Sequence, residues 1–158
     1  MLVSHNSSQV FSMFDSILIV CTGNICRSPM AEGVLRDRLD EAGKRVASAG
    51  IAALVGRPPD PLAQQVMQEH GYDISAHRGR QLNALLLSAA DLVLALDDGH
   101  RRWILENFPQ FRGRIHKLGK WRGDRDVADP YQLPREAFDQ AYLDIVECLS
   151  DWTPHLLA

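Results

Sequence analysis

The chain has 158 residues, of which 46% are hydrophobic and 23% are charged, and its formal net charge is −3. This length and composition are typical of one soluble domain, and the small negative charge disfavours a protein that binds nucleic acid or a membrane surface. The three cysteines, Cys21, Cys26 and Cys148, are too few and too irregularly spaced for a disulfide scaffold or a zinc site, which favours the reducing cytoplasm. No apolar run is long enough to span a membrane.

Residues 1–14 are rich in Ser and Asn and contain only isolated apolar positions. They lack the basic start and the continuous apolar stretch of a signal peptide. We therefore expect residues 1–14 to form a flexible N-terminal extension and residues 15–158 to form a single domain.

The predicted elements alternate between strands and helices along the chain. Residues 16–20 form an apolar, β-branched run that is typical of a buried parallel strand, and a Cys-Thr-Gly-Asn turn follows it. Ser28 is predicted to be the N-cap of the next helix, with Pro29 as its first residue and Gly43 as its stop. Further strands are predicted at 45–49, 92–96 and 114–118, and further helices are predicted to begin at Asp60, Asn83 and Asp97 and to cover 137–149.

This alternation predicts the architecture and the place of a functional site. Strands that alternate with helices favour a three-layer α/β/α sandwich with a four-stranded parallel sheet. The functional cleft of such a fold lies at the carboxyl ends of the strands. The turn after the first strand is therefore expected to be a phosphate-binding loop at that edge.

A C-x5-R motif occupies this turn, from Cys21 to Arg27. A tight turn that leads into a helix N-terminus directs several N–H groups at one point and favours an anion there. Gly23 and Asn24 tolerate the positive φ that such a turn needs, and Arg27 offers a planar fork for two phosphate oxygens. The same surroundings favour the thiolate of Cys21, which is the nucleophile that covalent phosphoryl transfer requires.

The residues alone leave two questions open. C-x5-R occurs readily by chance, and Cys21 could be a buried structural cysteine at the end of a strand. A phosphoryl transfer also needs an acid for its leaving group, and two Asp-Pro pairs lie in loops at the expected sheet edge, Asp60-Pro61 and Asp129-Pro130. Asp60 starts a helix and is most simply a cap, whereas Asp129 lies late in a long polar loop beside Tyr131. The pattern favours Asp129 as the acid, and both aspartates remain candidates.

The segment VCTGNICRSP, from Val20 to Pro29, closely resembles the active-site loop of the low-molecular-weight protein tyrosine phosphatases. Ser48-Ala49-Gly50, Asp60-Pro61, His77 and Asp129-Pro130-Tyr131 also fall where that family places them. The resemblance covers nearly everything after the N-terminal extension. It implies hydrolysis of phosphotyrosine through a phospho-cysteine, without a metal or another cofactor.

The resemblance also implies a role for each site residue. Cys21 is the implied nucleophile, Arg27 the implied phosphate ligand and Asp129 the implied general acid. Ser28 is implied to activate Cys21, while Ser48 and His77 brace the loop. The residues implied to bind the phosphate or to support the loop are Thr22, Gly23, Asn24, Ile25, Cys26, Ser28, Ser48 and His77.

The pocket wall predicts a subfamily. After the second strand the chain reads IAALVG, at 51–56, and has no aromatic residue there. Eukaryotic relatives tend to place Trp or Tyr in this loop, whereas the aliphatic version resembles the bacterial branch linked to capsule and exopolysaccharide export. By this resemblance Leu54 leans on the phosphotyrosine ring, Tyr131 flanks it, and the substrate is the tyrosine-rich tail of a membrane tyrosine kinase.

Two other functions share this loop. A thioredoxin-coupled arsenate reductase has the same fold but needs two further cysteines on a mobile segment, and residues 82–90 contain none. A phosphotyrosine-binding module without turnover would have no need of the acid Asp129. The sequence therefore favours the phosphatase over both.

Several other residues receive minor roles. Cys26 is expected to be a small core residue that could also trap an oxidised Cys21 as a disulfide, and Cys148 is expected to be structural. His100 is given no role. A basic stretch, formed by Lys117, Lys120, Arg122 and Arg125, is interpreted as a solvated face that could also attract a phosphorylated tail.

Overall fold

A computed structural model describes residues 13–158 of the chain. The predicted extension at 1–14 lies outside the described residues except for its last two positions. Within residues 13–158, no helix is both long and apolar enough to cross a membrane.

Four parallel strands form the sheet, in the order β2-β1-β3-β4. They are β1 (Ser16–Cys21), β2 (Arg45–Gly50), β3 (Leu92–Ala95) and β4 (Ile115–Lys117). Cys21 at the end of β1 pairs in register with Gly50 at the end of β2. The carboxyl ends of neighbouring strands therefore meet at one edge, as the sequence predicts for a parallel sheet.

In the described part of the chain, residues 13–158, five α-helices cover the sheet. They are α1 (Arg27–Leu39), α2 (Pro61–Glu69), α3 (Ala84–Ala89), α4 (Asp98–Asn107) and α5 (Arg135–Leu157), with short 3-10 helices at Asp40–Ala42 and Pro109–Arg114. Alternate residues of β1 explain the two layers. Ile17 and Ile19 pack in the core with α1, α2 and α5, whereas Leu18 and Val20 pack with α3 and α4. The three-layer sandwich with a four-stranded parallel sheet is confirmed.

Helix boundaries match the sequence at most ends. Asp60 and Asn83 cap α2 and α3 with their side-chain oxygens, and Gly43 and Gly71 adopt the positive φ expected of stop residues. The predicted cap at Ser28 is wrong, because α1 already begins at Arg27 and no side chain caps it. The hydroxyl of Ser28 is engaged by the preceding loop instead, and that engagement forms part of the candidate site.

Candidate active site

The loop after β1 is held against the end of β2 by the backbone. Ile51 N–H donates to the Cys21 carbonyl, Ala52 N–H to the Thr22 carbonyl and Leu54 N–H to the Gly23 carbonyl, each at 3.0 Å. A Cβ atom at Gly50 would lie only 2.4 Å from the Thr22 carbonyl oxygen, so only glycine permits this approach. The loop is therefore backed along its length by a second segment of the chain.

Asn24 holds the loop together from inside. It is fully buried and has a φ of 59°, in the left-handed region. Its amide nitrogen donates to the hydroxyls of Ser28 (2.8 Å) and Ser48 (2.9 Å), and its amide oxygen accepts the Arg80 backbone N–H at 2.9 Å. The Asn24 carbonyl oxygen accepts His77 Nε2–H at 2.8 Å. Every polar group of this side chain is satisfied, which offsets the cost of burying it.

Glu32 forms an outer layer of this network that sequence reasoning missed. Its carboxylate accepts the Ser48 hydroxyl and the Arg36 guanidinium and lies 3.7 Å from His77 Nδ1. Glu32 is thus in contact with both side chains that brace Asn24. A glutamate inside a helix carries no local signal of such a role, since its partner Ser48 comes from a strand sixteen residues later.

The Cys21 sulfur lies 2.9 Å from the Ser28 hydroxyl oxygen, and both groups are buried. Because Ser28 accepts a hydrogen bond from Asn24, its own hydrogen is free to point at the sulfur. A thiolate at Cys21 would leave Ser28 as the only possible donor of the pair. This hydroxyl therefore stabilises negative charge on the sulfur.

One terminal nitrogen of the Arg27 guanidinium is bonded to the protein, and the other lies beside Asp129 at the cavity. Its Nη1 donates to Asp97 Oδ2 (2.8 Å) and to the Val127 carbonyl (2.7 Å), while its Nη2 lies 3.8 Å from Asp129 Oδ2. Burial raises the pKa of Asp97, but the hydrogen bond from Arg27 and the nearby His100 prevail and lower it, so the carboxylate stays charged. Asp97 thus fixes a buried guanidinium with one edge open to a ligand.

His100, for which no role is predicted from the sequence, belongs to the same group. It is only 2% exposed, and its Nε2 lies 2.9 Å from Thr22 Oγ1 and 3.4 Å from Arg27 Nη2. Burial lowers the pKa of His100 to about 4, so the imidazole is neutral near pH 7. Asp97 comes from the loop after β3 and His100 from the first turn of α4, 70 and 73 residues from Arg27, and no local pattern links them to the motif.

One cavity of about 180 Å³ is lined by the loop after β1, the segment after β2 and residues 129 and 131. Apolar side chains of Ile25, Leu54 and Tyr131 contribute to its wall, and the side chain of Asp129 is 52% exposed beside Arg27. Its lining residues are Cys21, Thr22, Gly23, Ile25, Cys26, Arg27, Ala52, Leu54, Asp129 and Tyr131. The predicted nucleophile, phosphate ligand, acid and ring contacts all line this cavity, and the predicted bracing residues lie behind it.

The two aspartates differ in what they contact. Asp60 Oδ1 accepts the Leu62 backbone N–H at 2.9 Å and so caps α2, and Asp60 does not line the cavity. Asp129 lines the cavity, and its Oδ1 accepts the Tyr131 backbone N–H at 3.1 Å, which leaves Oδ2 facing Arg27. The geometry therefore favours Asp129 as the acid.

The three cysteines are all buried and unpaired. Burial raises the pKa of the Cys26 thiol far above its usual range, and the neighbouring carboxylate of Asp60 adds to this. Burial also raises the pKa of Cys148 to about 11. Both are therefore neutral thiols in the resting protein, and a disulfide between Cys26 and Cys21 stays a prediction.

The basic stretch is largely neutralised by carboxylates. Lys117 pairs with Asp126, and Arg122 pairs with Asp151 and Glu147. Arg125 pairs with Asp144 and Glu147. The arginine pairs tie the loop after β4 to α5, and the Lys117 pair joins β4 to the same loop. Three of the four cations are therefore committed within the chain rather than open to a phosphorylated tail.

Comparisons with known proteins agree with this geometry. Residues 16–157 match the family model of the low molecular weight phosphotyrosine protein phosphatases. The chain is 44% identical to the probable low molecular weight protein-tyrosine-phosphatase EpsP of Ralstonia nicotianae, over 92% of this chain and 99% of that protein.

Two solved structures show the range of this likeness. Vibrio vulnificus Wzb in complex with benzylphosphonate has a TM-score of 0.86 at 41% identity, covering 90% of this chain and 99% of that one. The YwlE arginine phosphatase of Geobacillus stearothermophilus has a TM-score of 0.84 at 36% identity, covering 89% and 92%. Neighbours of this fold therefore include an arginine phosphatase as well as relatives named for tyrosine.

Proposed function

Because the chain belongs to the low molecular weight phosphotyrosine protein phosphatase family, we propose that it hydrolyses phosphotyrosine through a phospho-cysteine formed on Cys21. The observation that carries this proposal is the shared cavity. Cys21, Arg27 and Asp129 line it together with Leu54 and Tyr131, so a nucleophile, a fixed cation, a carboxyl group and an apolar wall face one ligand.

In the first step the Cys21 thiolate attacks phosphorus, and the bond from phosphorus to the tyrosine oxygen breaks. Arg27 Nη2 and the loop N–H groups stabilise the charge on the phosphoryl oxygens. Asp129, protonated at this stage, gives its proton to the departing tyrosine oxygen. Its exposed position beside Arg27 in the shared cavity supports this role.

In the second step a water molecule attacks the phospho-cysteine. The Asp129 carboxylate takes a proton from this water, the bond from phosphorus to sulfur breaks, and inorganic phosphate leaves. The Cys21 thiolate is regenerated with the Ser28 hydroxyl as donor. Asp129 thereby returns to its protonated form, ready for the next substrate.

The apolar wall supports an aromatic substrate. Leu54 and Ile25 offer hydrocarbon surface, and the Tyr131 ring can flank a second ring in an offset or edge-to-face arrangement. We further propose the tyrosine-rich tail of a bacterial membrane tyrosine kinase as the substrate, since the loop at 51–56 carries no aromatic residue. Three buried thiols that remain unpaired support a reducing compartment, the cytoplasm, as the place of action.

A chromogenic aryl phosphate tests the chemistry. The wild type should release phosphate, and activity should persist in EDTA because each step uses a protein group. Cys21→Ser should reduce turnover by at least about a thousandfold, since an alcohol replaces the thiolate, while phosphate still binds. Unchanged turnover in Cys21→Ser would refute the phospho-cysteine.

Two further substrates test the specificity. A phosphotyrosine peptide should react at least about tenfold faster in kcat/KM than the same peptide carrying phosphoarginine, because the wall is apolar. The purified, phosphorylated kinase tail should in turn react faster than a generic phosphotyrosine peptide. Preference for phosphoarginine would overturn the tyrosine assignment, and equal rates on both tyrosine substrates would overturn the kinase-tail proposal alone.

A further inference from the structure

The buried imidazole of His100 has a defined donor and a defined acceptor nitrogen. The Asp97 backbone N–H donates to His100 Nδ1 at 3.2 Å, and Asp97 Oδ1 accepts the His100 backbone N–H at 3.0 Å. This reciprocal pair is a capping box at the start of α4. A backbone N–H cannot reverse its role, so Nδ1 is the acceptor and the ring proton of the neutral imidazole is on Nε2.

The Nε2–H group then has a single good acceptor. Thr22 Oγ1 lies 2.9 Å away, whereas Arg27 Nη2 lies 3.4 Å away, is itself a donor and is beyond the usual range of an N–H hydrogen bond. Asp97 Oδ1 lies 3.2 Å from Nδ1, but Nδ1 accepts the Asp97 backbone N–H and has no proton to donate. His100 therefore donates to the Thr22 hydroxyl.

This contact leaves the Thr22 hydroxyl hydrogen without an acceptor in the part of the chain that the structure describes. Thr22 directly follows Cys21, is exposed and lines the cavity. Because Thr22 Oγ1 and Arg27 Nη2 both adjoin the same imidazole nitrogen, a phosphoryl group held by Arg27 lies within reach of this hydroxyl.

We propose that His100 is a positioning residue that fixes the Thr22 hydroxyl as an additional donor to the bound phosphoryl group. His100 itself does not contact the substrate. Its Nε2–H holds the Thr22 oxygen, and the Thr22 hydrogen points at a phosphoryl oxygen. A phosphate loop of this kind uses backbone N–H groups and Arg27, and the Thr22–His100 pair adds a side-chain donor anchored on a different helix.

The inference rests on the proposed function only in requiring that the cavity take a phosphoryl group. Inorganic phosphate is therefore the first probe, with its inhibition constant measured against an aryl phosphate and its dissociation constant by calorimetry. Failure of turnover would sink the proposed function, whereas the calorimetric affinity of phosphate would still report on Thr22 and His100.

Two variants separate the donor from the fold. Thr22→Val keeps the side-chain shape and removes the hydroxyl. His100→Leu keeps a buried side chain of similar size and removes the donor to Thr22. We expect each to weaken phosphate binding about tenfold and to lower kcat/KM similarly, because a hydrogen bond to a charged group is lost or misdirected. The double variant should be no weaker than the weaker single variant, since the two residues act as one unit.

Three controls are needed to interpret the phosphate affinities of these variants. Thr22→Ser should retain near wild-type affinity, because it keeps the hydroxyl. His116→Leu, a change of the same kind at a half-buried histidine of β4, should leave phosphate affinity unchanged. A thermal melt of every variant reports on folding. The proposal is overturned if His100→Leu binds phosphate within twofold of wild type, or if the two losses simply add.

Discussion

The phosphate loop (residues 21–28) and the acid loop (residues 119–134) form two sides of one cavity and are built in opposite ways. All but Thr22 and Gly23 of the phosphate loop are buried, and hydrogen bonds among neutral groups centred on Asn24 hold it. The acid loop buries only Gly119, Val127 and Pro130, and ion pairs hold it from behind.

This contrast separates affinity from proton transfer. A buried, fully bonded loop keeps its donors aimed at the anion before the anion arrives, so little reorganisation is needed on binding. In the proposed mechanism, an exposed carboxyl such as Asp129 can meet the leaving group in the first step and the attacking water in the second. Substitutions in the acid loop should therefore change chemistry at little cost in stability, while substitutions in the phosphate loop should change both.

The largest effect is expected from a substitution in the acid loop. Asp129→Ala should lower kcat for an aryl phosphate with a poor leaving group by about 10²–10³-fold, the usual contribution of a general acid. Its stability should stay close to wild type, since the side chain is half exposed. Steady-state kinetics and urea unfolding measure the two quantities.

Asp60→Ala is the matched control for this prediction. It should leave kcat within a few fold and lower the free energy of unfolding by about 1 kcal/mol, because it removes the cap of α2. If Asp60→Ala reduced kcat more than Asp129→Ala, the acid assignment would be wrong.

The second expected effect falls on the phosphate loop. Asn24→Ala removes the hydrogen bonds to Ser28, Ser48 and the Arg80 N–H and leaves alanine at a φ of 59°. We expect a loss of about 3 kcal/mol in the free energy of unfolding, together with a fall in kcat/KM. Asn107→Ala, which removes one exposed hydrogen bond at the end of α4, serves as the control and should change neither quantity appreciably. Wild-type stability in Asn24→Ala would show that the loop does not depend on this residue.

The smallest expected effect is a pH dependence of the free energy of unfolding, and it arises from His100. The folded protein holds the pKa of His100 at about 4, below its ordinary 6.5, so between these values the unfolded chain binds more protons than the folded one. Stability should therefore fall as the pH drops from about 6.5 to about 4, by an amount on the order of 3 kcal/mol or less. Burial is the main cause of the lowered pKa, and Arg27 adds to it, whereas the carboxylates of Asp97, Asp129 and Asp126 oppose it.

His100→Gln isolates this contribution, because the other acidic groups titrate in both proteins. The difference in the free energy of unfolding between wild type and His100→Gln, measured by urea denaturation across this range, should shrink as the pH falls. A difference that stays constant from pH 6.5 to pH 4 would show that His100 is not held neutral.

The sequence allowed the sheet, its helices and the cavity-lining residues to be predicted because each carries a local signal. Apolar runs mark β1 and β3, Asp60 and Gly71 mark the ends of α2, and the C-x5-R spacing marks the loop. Ser28 misled for a physical reason. A serine before proline at a strand-to-helix turn resembles a cap. The Ser28 hydroxyl, however, accepts a hydrogen bond from the Asn24 amide and contacts the Cys21 sulfur.

The residues that sequence reasoning missed act across long separations. Glu32 reaches Ser48, and Asp97 and His100 reach Arg27 and Thr22 from the loop after β3. Each is an ordinary polar residue in its own segment, and Asp97 also serves as a helix cap. Only the parallel pairing of β1 with β2 and β3 brings these side chains together, so their roles become visible in the fold.

The four bonds around Asn24 have a consequence for protein engineering. Residues 21–28 cannot be grafted as a cassette onto another strand and helix, because the groups that shape them come from Ser48, His77 and Arg80. Gly50 must accompany them, since any larger residue would push the segment out of shape. The smallest transplantable unit is therefore the β1–loop–α1 segment together with the end of β2 and residues 77–80, a discontinuous module rather than a linear motif.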